Sequence, residues 1–386
     1  MDKPFLCIDA GFCKSPFCLE KFLQVYDKDR FIKQTFGKGA TYGTLTLNER
    51  KGNREPNLFV NTYHSLIITQ NRRGLPQEFN FYDSIKKLPE ILESHLDAKI
   101  FVSFAPINQE LPYSSPNFSV KREELSYLKQ LEIALMELEY VCGRYKQNLC
   151  FELNACPHVE AFYENLSLLK DLIETASEFS FKIGIKLPYL LNLPSYFGRL
   201  INLLASEPIS YVVLTNTLPG KISFEGKPLI SPYANGIGGI GGSILTPFAY
   251  AMLSETKKVF LKYGREDIKI IASGVTGVFG YEIRGKYAIW IEPLVGREIL
   301  RLKISELPPL IADFILPAFR VLESIRNGAD MVRIGSLCLM LEKPELSTLY
   351  TLQALCFLIN KRYGIEMETK EIAKFLNSIK FNSSEI

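Results

Sequence analysis

Short apolar runs alternate with amphipathic stretches along most of the chain. The runs are rich in β-branched and aromatic residues, which is typical of buried strands. Eight such runs predict strands at residues 5–10, 31–35, 99–104, 149–154, 182–187, 211–216, 268–272 and 331–334.

The stretches between the later runs predict helices. In residues 123–140, leucines recur at spacings of three and four, which places them on one helical face. Similar stripes predict helices over 159–178, 194–205, 247–262 and 310–327. Strands that alternate with helices favour an α/β fold, a (β/α)8 TIM barrel, which commonly takes about 250 residues. An open doubly wound sheet is the alternative, but its G-x-G-x-x-G fingerprint is absent after the first strand.

Two regions interrupt this alternation. Residues 43–77 contain extended pieces separated by turn residues, and they predict a β insertion after the second strand. Residues 277–305 predict a second, hairpin-like insertion, and the chain from about 342 predicts a helical C-terminal extension. We expect residues 1–386 to form a single barrel domain with these additions.

Composition narrows the function classes. A net charge of +3, with 47% hydrophobic and 23% charged residues, indicates an ordinary globular protein without the basic patch of a nucleic-acid binder. We find no signal-peptide pattern and no membrane-spanning segment, so we expect a cytoplasmic protein. The eight cysteines lack paired spacing, and we interpret them as reduced thiols rather than metal ligands.

Polar and glycine residues stand at the carboxyl ends of the predicted strands, where TIM barrels carry their active sites. They are Ala10, Gly11, Asn154, Cys156, Lys186, Asn216, Thr217, Ser273, Gly274, Gly335 and Ser336. The strand bodies, by contrast, are apolar. The sequence therefore predicts a site at this end of the barrel.

Three of these signals carry chemistry of their own. Lys186 closes a buried strand, so it needs an anion, unless it is a surface lysine on a frayed strand end. Residues 236–243 predict a glycine-rich turn, with five glycines, before a helix starting near Pro247, a pattern that lets backbone amides approach a phosphate. The turns after the last two predicted strands lie where this fold usually binds phosphate. Together these features favour a mononucleotide cofactor.

Cys156 lies just after the fourth predicted strand, beside Pro157. A thiol at this place can act as an acid or base over a bound substrate. Since a thiol ordinarily titrates near pH 8.5, activity that depends on such a base should climb with pH. The alternative is a buried structural cysteine, which is what most cysteines are.

Several segments, taken in order over residues 5–340, resemble the dihydroorotate dehydrogenases, in particular the soluble class that uses a cysteine base. The segments are Thr-Leu-Asn-Glu-Arg-Lys-Gly-Asn (46–53), Asn-Arg-Arg-Gly-Leu-Pro (71–76), Glu-Leu-Asn-Ala-Cys-Pro (152–157), Gly-Ile-Lys-Leu-Pro (184–188), Gly-Gly-Ile-Gly-Gly (238–242) and Ile-Gly-Ser (334–336). Each segment is short, but their order along the chain is specific.

The resemblance implies an FMN-dependent oxidoreductase that oxidises (S)-dihydroorotate to orotate in pyrimidine biosynthesis. Cys156 would take a proton from C5 of the substrate while hydride leaves C6 for flavin N5. The residues that the resemblance assigns to FMN are Ala10, Gly11, Lys186, Gly241, Gly242, Ser273, Gly274, Gly335 and Ser336. Those assigned to the substrate are Asn71, Arg73, Gly74, Leu75, Asn154, His158, Asn216 and Thr217.

The chain also departs from the family pattern. Gly43 stands where the family has a lysine that touches flavin and substrate, and one residue is missing between Asn154 and Cys156. His158 replaces an asparagine, Thr217 replaces a serine, and Arg73 occupies a position that is usually apolar. Arg73 is a candidate replacement for the missing cation.

Other functions remain open at this stage. One is a related flavin barrel acting on another dihydropyrimidine or an enoate. The tRNA dihydrouridine synthases have a similar cysteine motif, but they need a strongly basic surface, which a net charge of +3 does not provide. Another is a non-catalytic partner subunit that keeps the fold. A homodimer is possible, and the electron acceptor could be a quinone, fumarate, a nicotinamide through a partner subunit, or oxygen.

Overall fold

The computed structural model describes residues 5–52, 58–63, 65–71, 76–107, 111–155, 165–190, 194–221, 223–224, 227–228, 237–292 and 296–363. In chain order the strands are β1 (Phe5–Ile8), β2 (Gly39–Leu45), β3 (Leu58–Tyr63), β4 (Leu66–Asn71), β5 (Lys99–Phe104), β6 (Tyr113–Ser114), β7 (Ser119–Val120), β8 (Leu149–Asn154), β9 (Lys182–Lys186), β10 (Tyr211–Leu214), β11 (Leu218–Lys221), β12 (Ser223–Phe224), β13 (Lys227–Pro228), β14 (Ile237–Gly242), β15 (Lys269–Ser273), β16 (Glu282–Arg284), β17 (Tyr287–Glu292), β18 (Arg297–Lys303) and β19 (Met331–Ile334). The helices are α1 (Pro16–Gln24), α2 (Arg30–Thr35), α3 (Phe81–Ile85), α4 (Leu88–Ser94), α5 (Tyr127–Cys142), α6 (Leu166–Ser177), α7 (Pro194–Ser206), α8 (Thr246–Lys262), α9 (Ile315–Arg326) and α10 (Pro344–Tyr363).

Eight parallel strands form the central sheet, in the order β1-β19-β15-β10-β9-β8-β5-β2. Its two end strands are joined through the loop after β1. There the Gly11 N–H donates to the Gly43 carbonyl at 2.5 Å, and the Gly43 N–H donates to the Cys13 carbonyl at 2.7 Å. The sheet therefore curls into a nearly closed barrel, and the predicted (β/α)8 fold is confirmed.

Side chains fill the barrel interior near the amino ends of its strands. Phe101 and Tyr211 meet edge to face, with ring centroids 5.4 Å apart, and both are buried. Gly184 makes room for this contact, because a Cβ there would lie 2.1 Å from the Tyr211 ring. Burying a large apolar side chain contributes about 1.5–3 kcal/mol, so this layer closes and stabilises the floor of the barrel.

Amphipathic helices cover the outside of the barrel. The Ser126 hydroxyl caps α5 by accepting from the Lys129 N–H, and Asn165 caps α6 by accepting from the amides of Ser167 and Leu168. Leu131, like its neighbours on the inner face of α5, is buried. No helix in the described part of the chain has both the length and the apolar character needed to cross a membrane.

The first predicted insertion contributes to an antiparallel cap sheet, with strand order β11-β14-β4-β3. The Ile67 N–H donates to the Gly277 carbonyl at 2.7 Å, and the Phe279 N–H donates to the Ser65 carbonyl at 2.8 Å. These bonds fasten the cap sheet to the loop that follows β15. The insertion thus lies against the carboxyl-end face of the barrel.

The second predicted insertion is a three-stranded antiparallel meander, β16-β17-β18, rather than a single hairpin. Trp290 anchors it, because the buried indole donates to the Ala312 carbonyl at 3.1 Å and its ring lies 5.5 Å from that of Tyr281. Its first strand, β16, is exposed along its length.

One predicted strand was wrong. Residues 31–35 belong to helix α2, whose Ile32 is buried and whose Ile32 N–H donates to the Asp29 carboxylate at 3.1 Å. The second barrel strand is β2 instead, which begins at Gly39 and is buried throughout. A five-residue apolar run fits a short helix as well as a strand, and the glycines of β2 hide a strand from a propensity argument.

The glycine-rich segment before α8 also differs from the expectation. Residues 237–242 form strand β14, paired with β4 and β11, rather than a turn. Gly242 has φ +97°, and a Cβ there would lie 1.9 Å from the Ile67 carbonyl oxygen. The glycine at 242 therefore permits close approach of β14 to β4.

Gly43 is required by its backbone, so restoring the family's lysine there should destabilise the fold. Its φ is +113°, and a Cβ would lie 2.4 Å from the Ser103 carbonyl oxygen. We expect Gly43→Lys to lower the unfolding free energy by about 3 kcal/mol, measured by urea denaturation. Gly11→Ala is the matched control, because φ there is +99° but a Cβ would meet nothing within 4 Å. Equal losses for both variants would show that backbone strain, and not the clash, decides the effect.

Candidate active site at the carboxyl ends of the barrel strands

Lys186 lies inside the barrel mouth, bound to an aspartate. Its ammonium donates to both carboxylate oxygens of Asp9, at 2.9 and 3.0 Å, and only 3% of the lysine side chain is exposed. The interpretation as a surface lysine on a frayed strand end is therefore wrong. Lys186 ends β9 and is in register with Asn154 on β8. Both residues therefore lie at the same height along the barrel.

Asp9 is a residue that the sequence reasoning missed, because it falls inside the apolar run predicted as the first strand. Besides Lys186, its carboxylate accepts from the Ser273 hydroxyl at 2.6 Å and from the Ala10 N–H at 2.8 Å. Burial alone would raise the pKa of Asp9, but the charges of Lys186 and Arg333 outweigh it and hold the pKa below its usual value. The sequence did contain a signal for Asp9 as a site residue, since it is a carboxylate two residues before Gly11 at the predicted strand end.

A second buried ion pair lies directly beneath the first. Arg333 of β19 donates to Glu152 of β8, and both side chains are fully buried. The Arg333 guanidinium is also 3.7 Å from the Asp9 carboxylate and lies over the Phe101 ring, 4.8 Å from its centroid. Asp9 and Glu152 thus balance Lys186 and Arg333, so this charged cluster is neutral when all four groups are ionised.

Asn154, a predicted substrate residue, lies beside Lys186 on the neighbouring strand β8. Its amide donates to the Thr44 hydroxyl at 2.8 Å, and that hydroxyl is 3.1 Å from the Ser103 hydroxyl. Thr44 directly follows Gly43, so the segment that lacks the family's lysine still orients a polar side chain of the site. Thr44 and Ser103 were not anticipated from the sequence.

Strand β14 and the segments after β10 and β19 come together beside this mouth. A Cβ on Gly241 would lie 2.7 Å from the Thr69 hydroxyl, 3.3 Å from the Thr217 methyl and 3.7 Å from the Ser336 hydroxyl. The structure therefore unites three predicted site residues that are far apart in the sequence. Thr69 of β4 joins them and was not predicted.

The glycines that end the strands would each admit a Cβ without a clash. A Cβ on Gly274 would have only the Thr215 carbonyl oxygen within 4 Å, at 3.9 Å, and a Cβ on Gly335 would approach Asp9 no closer than 3.7 Å. Gly274 has φ +80° and Gly11 has φ +99°, backbone conformations that favour glycine. The chain is exposed at Gly11 and partly accessible at Gly274, so a bound group can approach the backbone at these two positions.

Asn216 and Thr217 follow β10 at the same end of the barrel. The Asn216 carboxamide oxygen accepts from the Thr217 N–H at 2.9 Å, and the Asn216 N–H donates to the Leu187 carbonyl at 2.9 Å. Both residues are partly accessible. The loop is thereby held next to the strand end that carries Lys186.

The remaining predicted site residues lie outside the described residues, namely Cys156, Arg73, Gly74, Leu75 and His158. Asn71 is described in its backbone only, where it is paired with Gly239 of β14 and Leu58 of β3. The catalytic assignment of Cys156 therefore stays a prediction from the sequence.

Two other thiols of the barrel interior are unsuited to acid–base chemistry. Burial raises the pKa of Cys7 to about 11 and that of Cys150 also to about 11. Both lie with Met331 and Phe101 in the apolar cluster below the mouth. Neither can supply a thiolate near neutral pH.

Comparisons with known proteins place this barrel in a family. The fold and the position of its mouth define a (β/α)8-barrel protein whose candidate site lies at the carboxyl ends of the strands. The family profile described as dihydroorotate dehydrogenase matches residues 20–280. The chain therefore belongs to the dihydroorotate dehydrogenase family, and the resemblance found in the sequence is confirmed.

Individual relatives are distant. The chain is 28% identical over 238 residues to dihydroorotate dehydrogenase (fumarate) of Lachancea kluyveri, covering 59% of this chain and 65% of the relative. It is 28% identical over 260 residues to the protein of the same name from Saccharomyces mikatae, covering 64% and 70%. The matched part thus spans about two thirds of the length of these relatives.

Solved structures agree with the fold. Crystal structures of DHODH from Eimeria tenella, with ferulenol and ligand-free, are similar with TM-scores of 0.60 and 0.59. Each covers 95% of this chain, and 83% and 86% of the solved chains are covered in return. At 15% and 14% identity, these likenesses concern the fold alone.

Proposed function

We propose that this protein is an FMN-dependent oxidoreductase that oxidises dihydroorotate to orotate. The observation that carries the proposal is the match of residues 20–280 to the dihydroorotate dehydrogenase family. A barrel mouth with a buried lysine, at the position that the resemblance assigns to the flavin, supports it. The cytoplasm is the proposed location, and the seven described cysteines, all free thiols, suit it.

The donor set at the mouth fits FMN. A Cβ would meet nothing within 4 Å at Gly11, one atom at 3.9 Å at Gly274 and no atom closer than 3.7 Å at Gly335, so these glycines let a cofactor approach the strand ends. Ser336 begins a short 3-10 helix directly after β19, so its backbone and hydroxyl are suited to phosphate oxygens. We assign the cofactor to these positions together with Ala10, Lys186, Gly241, Gly242 and Ser273.

Bound FMN supplies the acceptor for the hydride that leaves C6 of the substrate. The chain must then remove the proton from C5, and we assign this role to Cys156. A thiolate attracts the proton as the C–H bond breaks, and the proton remains on sulfur until solvent removes it. Asn154, held by Thr44, and Asn216 are assigned to the polar edge of the substrate ring, as are Asn71, Gly74, Leu75, His158 and Thr217.

The proposal is tested first by colour and turnover. Purified protein reconstituted with FMN should show the visible flavin bands, and it should form orotate from dihydroorotate with a suitable electron acceptor. A protein that takes up no FMN would contradict the proposal. Gel filtration of the same sample addresses the homodimer that we also propose.

Arg73 is proposed to bind the substrate carboxylate in place of the lysine missing at position 43. We expect Arg73→Ala to raise the KM for dihydroorotate about tenfold or more with a smaller effect on kcat, since a charge-assisted hydrogen bond contributes about 1.5–3 kcal/mol. Arg72→Ala, at the adjacent arginine, is the matched control and should leave KM nearly unchanged. An unaltered KM for Arg73→Ala would remove this assignment.

A second candidate function is oxidation or reduction of a different dihydropyrimidine or an enoate by the same flavin barrel. It is favoured by one observation, the backbone at Gly43, which cannot hold the family's lysine without displacing the Ser103 carbonyl. An FMN-loaded protein that dihydroorotate does not reduce would support this candidate. Screening such a protein against uncharged dihydropyrimidines would then separate the two substrate classes.

A further inference from the structure

The lysine assigned to the flavin is neutralised by a residue that the resemblance does not assign. Lys186 Nζ contacts both oxygens of Asp9, and only 8% of Asp9 and 3% of Lys186 are exposed. The contact joins residues 177 positions apart, so it is set by the barrel and not by local sequence. Two close contacts at about 3 Å between buried groups are typical of strong, charge-assisted hydrogen bonds.

The surroundings fix the carboxylate in this position. The Ser273 hydroxyl donates to one oxygen at 2.6 Å, and the Ala10 N–H donates to the other at 2.8 Å. Arg333, the nearest other cation, is 3.7 Å away but is bound to Glu152. These contacts hold Asp9 as a carboxylate that is directed at Lys186. The negative charge of Asp9 therefore balances the positive charge of the lysine.

The electrostatic consequence concerns the bound cofactor. A free cation beside the N1 and C2 carbonyl edge of a flavin stabilises its reduced, anionic form. An ion pair at the same place exerts a much weaker field, because the two opposite charges cancel at a distance. The chain thus lacks one family cation, at Gly43. The charge of a second cation, Lys186, is offset by Asp9.

We propose that Asp9 is a positioning residue that holds Lys186 in place and offsets its charge, so that FMN is bound against a neutral ion pair and has a low reduction potential. This inference rests on the proposed FMN-dependent function. It predicts that removing the Asp9 charge leaves the cluster of Lys186, Arg333 and Glu152 with a net positive charge at the cofactor.

The test uses the FMN-loaded protein and two readouts other than turnover. The first is the affinity for sulfite, followed as loss of the visible flavin absorbance, since sulfite addition is favoured by positive charge near the flavin. The second is the two-electron reduction potential. We expect Asp9→Asn to bind sulfite roughly tenfold more tightly, as one uncompensated charge implies, and to have a potential higher by about 30 mV, the equivalent of tenfold for two electrons.

Three further variants separate a charge effect from a structural one. Asp9→Glu retains the charge and should return both readouts toward the wild-type values. The double variant Asp9→Asn with Lys186→Met replaces the pair by neutral groups, which buried pairs often tolerate, and should match the wild type in sulfite affinity. Lys186→Met alone leaves a carboxylate at the cofactor and should weaken sulfite binding. Thermal unfolding of each variant checks that it is folded.

The outcomes distinguish this inference from the function on which it rests. A yellow Asp9→Asn protein with unchanged sulfite affinity and potential would overturn the inference and leave the flavoprotein assignment intact. If Asp9→Asn does not fold, a double variant that binds sulfite tenfold more weakly than the wild type overturns it equally. A wild-type protein that binds no FMN overturns both. The protein could show the expected changes in sulfite affinity and potential and yet not be reduced by dihydroorotate. That result would support the inference and contradict only the proposed substrate.

Discussion

Cys156→Ala is expected to lower kcat by about 10²–10⁴-fold while FMN stays bound, because a positioned general base contributes a factor of this size. The proposed cofactor residues lie on other strands and loops, so the substitution should not change the flavin spectrum. Stopped-flow reduction of the flavin by dihydroorotate, with the spectrum recorded beforehand, measures both effects in one sample.

The pH profile adds a second test of the same role. A thiol ordinarily titrates near 8.5, so the wild-type reduction rate should rise with pH as the thiolate fraction grows. Cys156→Ala should lose that rise together with its turnover. Cys18→Ala is the matched control, since Cys18 is a partly accessible thiol in α1 with no role in the proposed mechanism. A Cys156→Ala enzyme of full activity would rule the role out.

Arg333→Leu is expected to lower the unfolding free energy by about 3–5 kcal/mol, because it leaves Glu152 charged and unpaired inside the barrel. Both partners of this ion pair are fully buried, and the guanidinium also covers the Phe101 ring. Urea denaturation of the wild type and the variant, compared at one pH, measures the loss.

The chain offers a matched surface pair as the control. Arg301 donates to Glu298 at 2.7 Å in the exposed meander, with 52% and 34% of the side chains accessible. Exposed pairs contribute at most about 1 kcal/mol, so Arg301→Leu should have little effect. Similar losses for the two variants would show that burial of the Arg333 pair does not determine its contribution to stability.

Much of the barrel could be predicted because its strands are apolar runs of the right length. The predicted spans 99–104, 149–154 and 331–334 coincide with β5, β8 and β19. The error at residues 31–35 arose where an apolar run was too short to distinguish helix from strand. Strand β2 was missed because its glycines and threonines suggest a turn, although tertiary contacts bury all of it.

The site was only partly predictable, for a different physical reason. Lys186, Thr217 and Ser336 were found because strand ends converge in a barrel, whatever the residues between them. Gly241 was found because it lies in a glycine-rich segment that resembles the family motif. Asp9, the partner of Lys186, was not found, since a contact across 177 residues depends on which residue at the end of β1 points at β9. Thr44 and Thr69 were missed because a hydroxyl gives no signal until its neighbours are known.

Gly43 and Asp9 together limit the positive charge at the barrel mouth of this family member. The first replaces a cation by a backbone that tolerates only glycine, and the second balances the cation that remains. Both features reduce positive charge at the mouth. Arg73 is the proposed compensation on the substrate side, and Lys186, which is assigned to the flavin, is paired with Asp9.

Anaerobic titration of the FMN-loaded protein with dihydroorotate is the decisive test of the proposed oxidation. We expect the visible flavin absorbance to bleach in proportion to added substrate, and one equivalent of orotate to form for each flavin reduced. A yellow protein whose absorbance does not change with excess dihydroorotate would contradict the proposed activity.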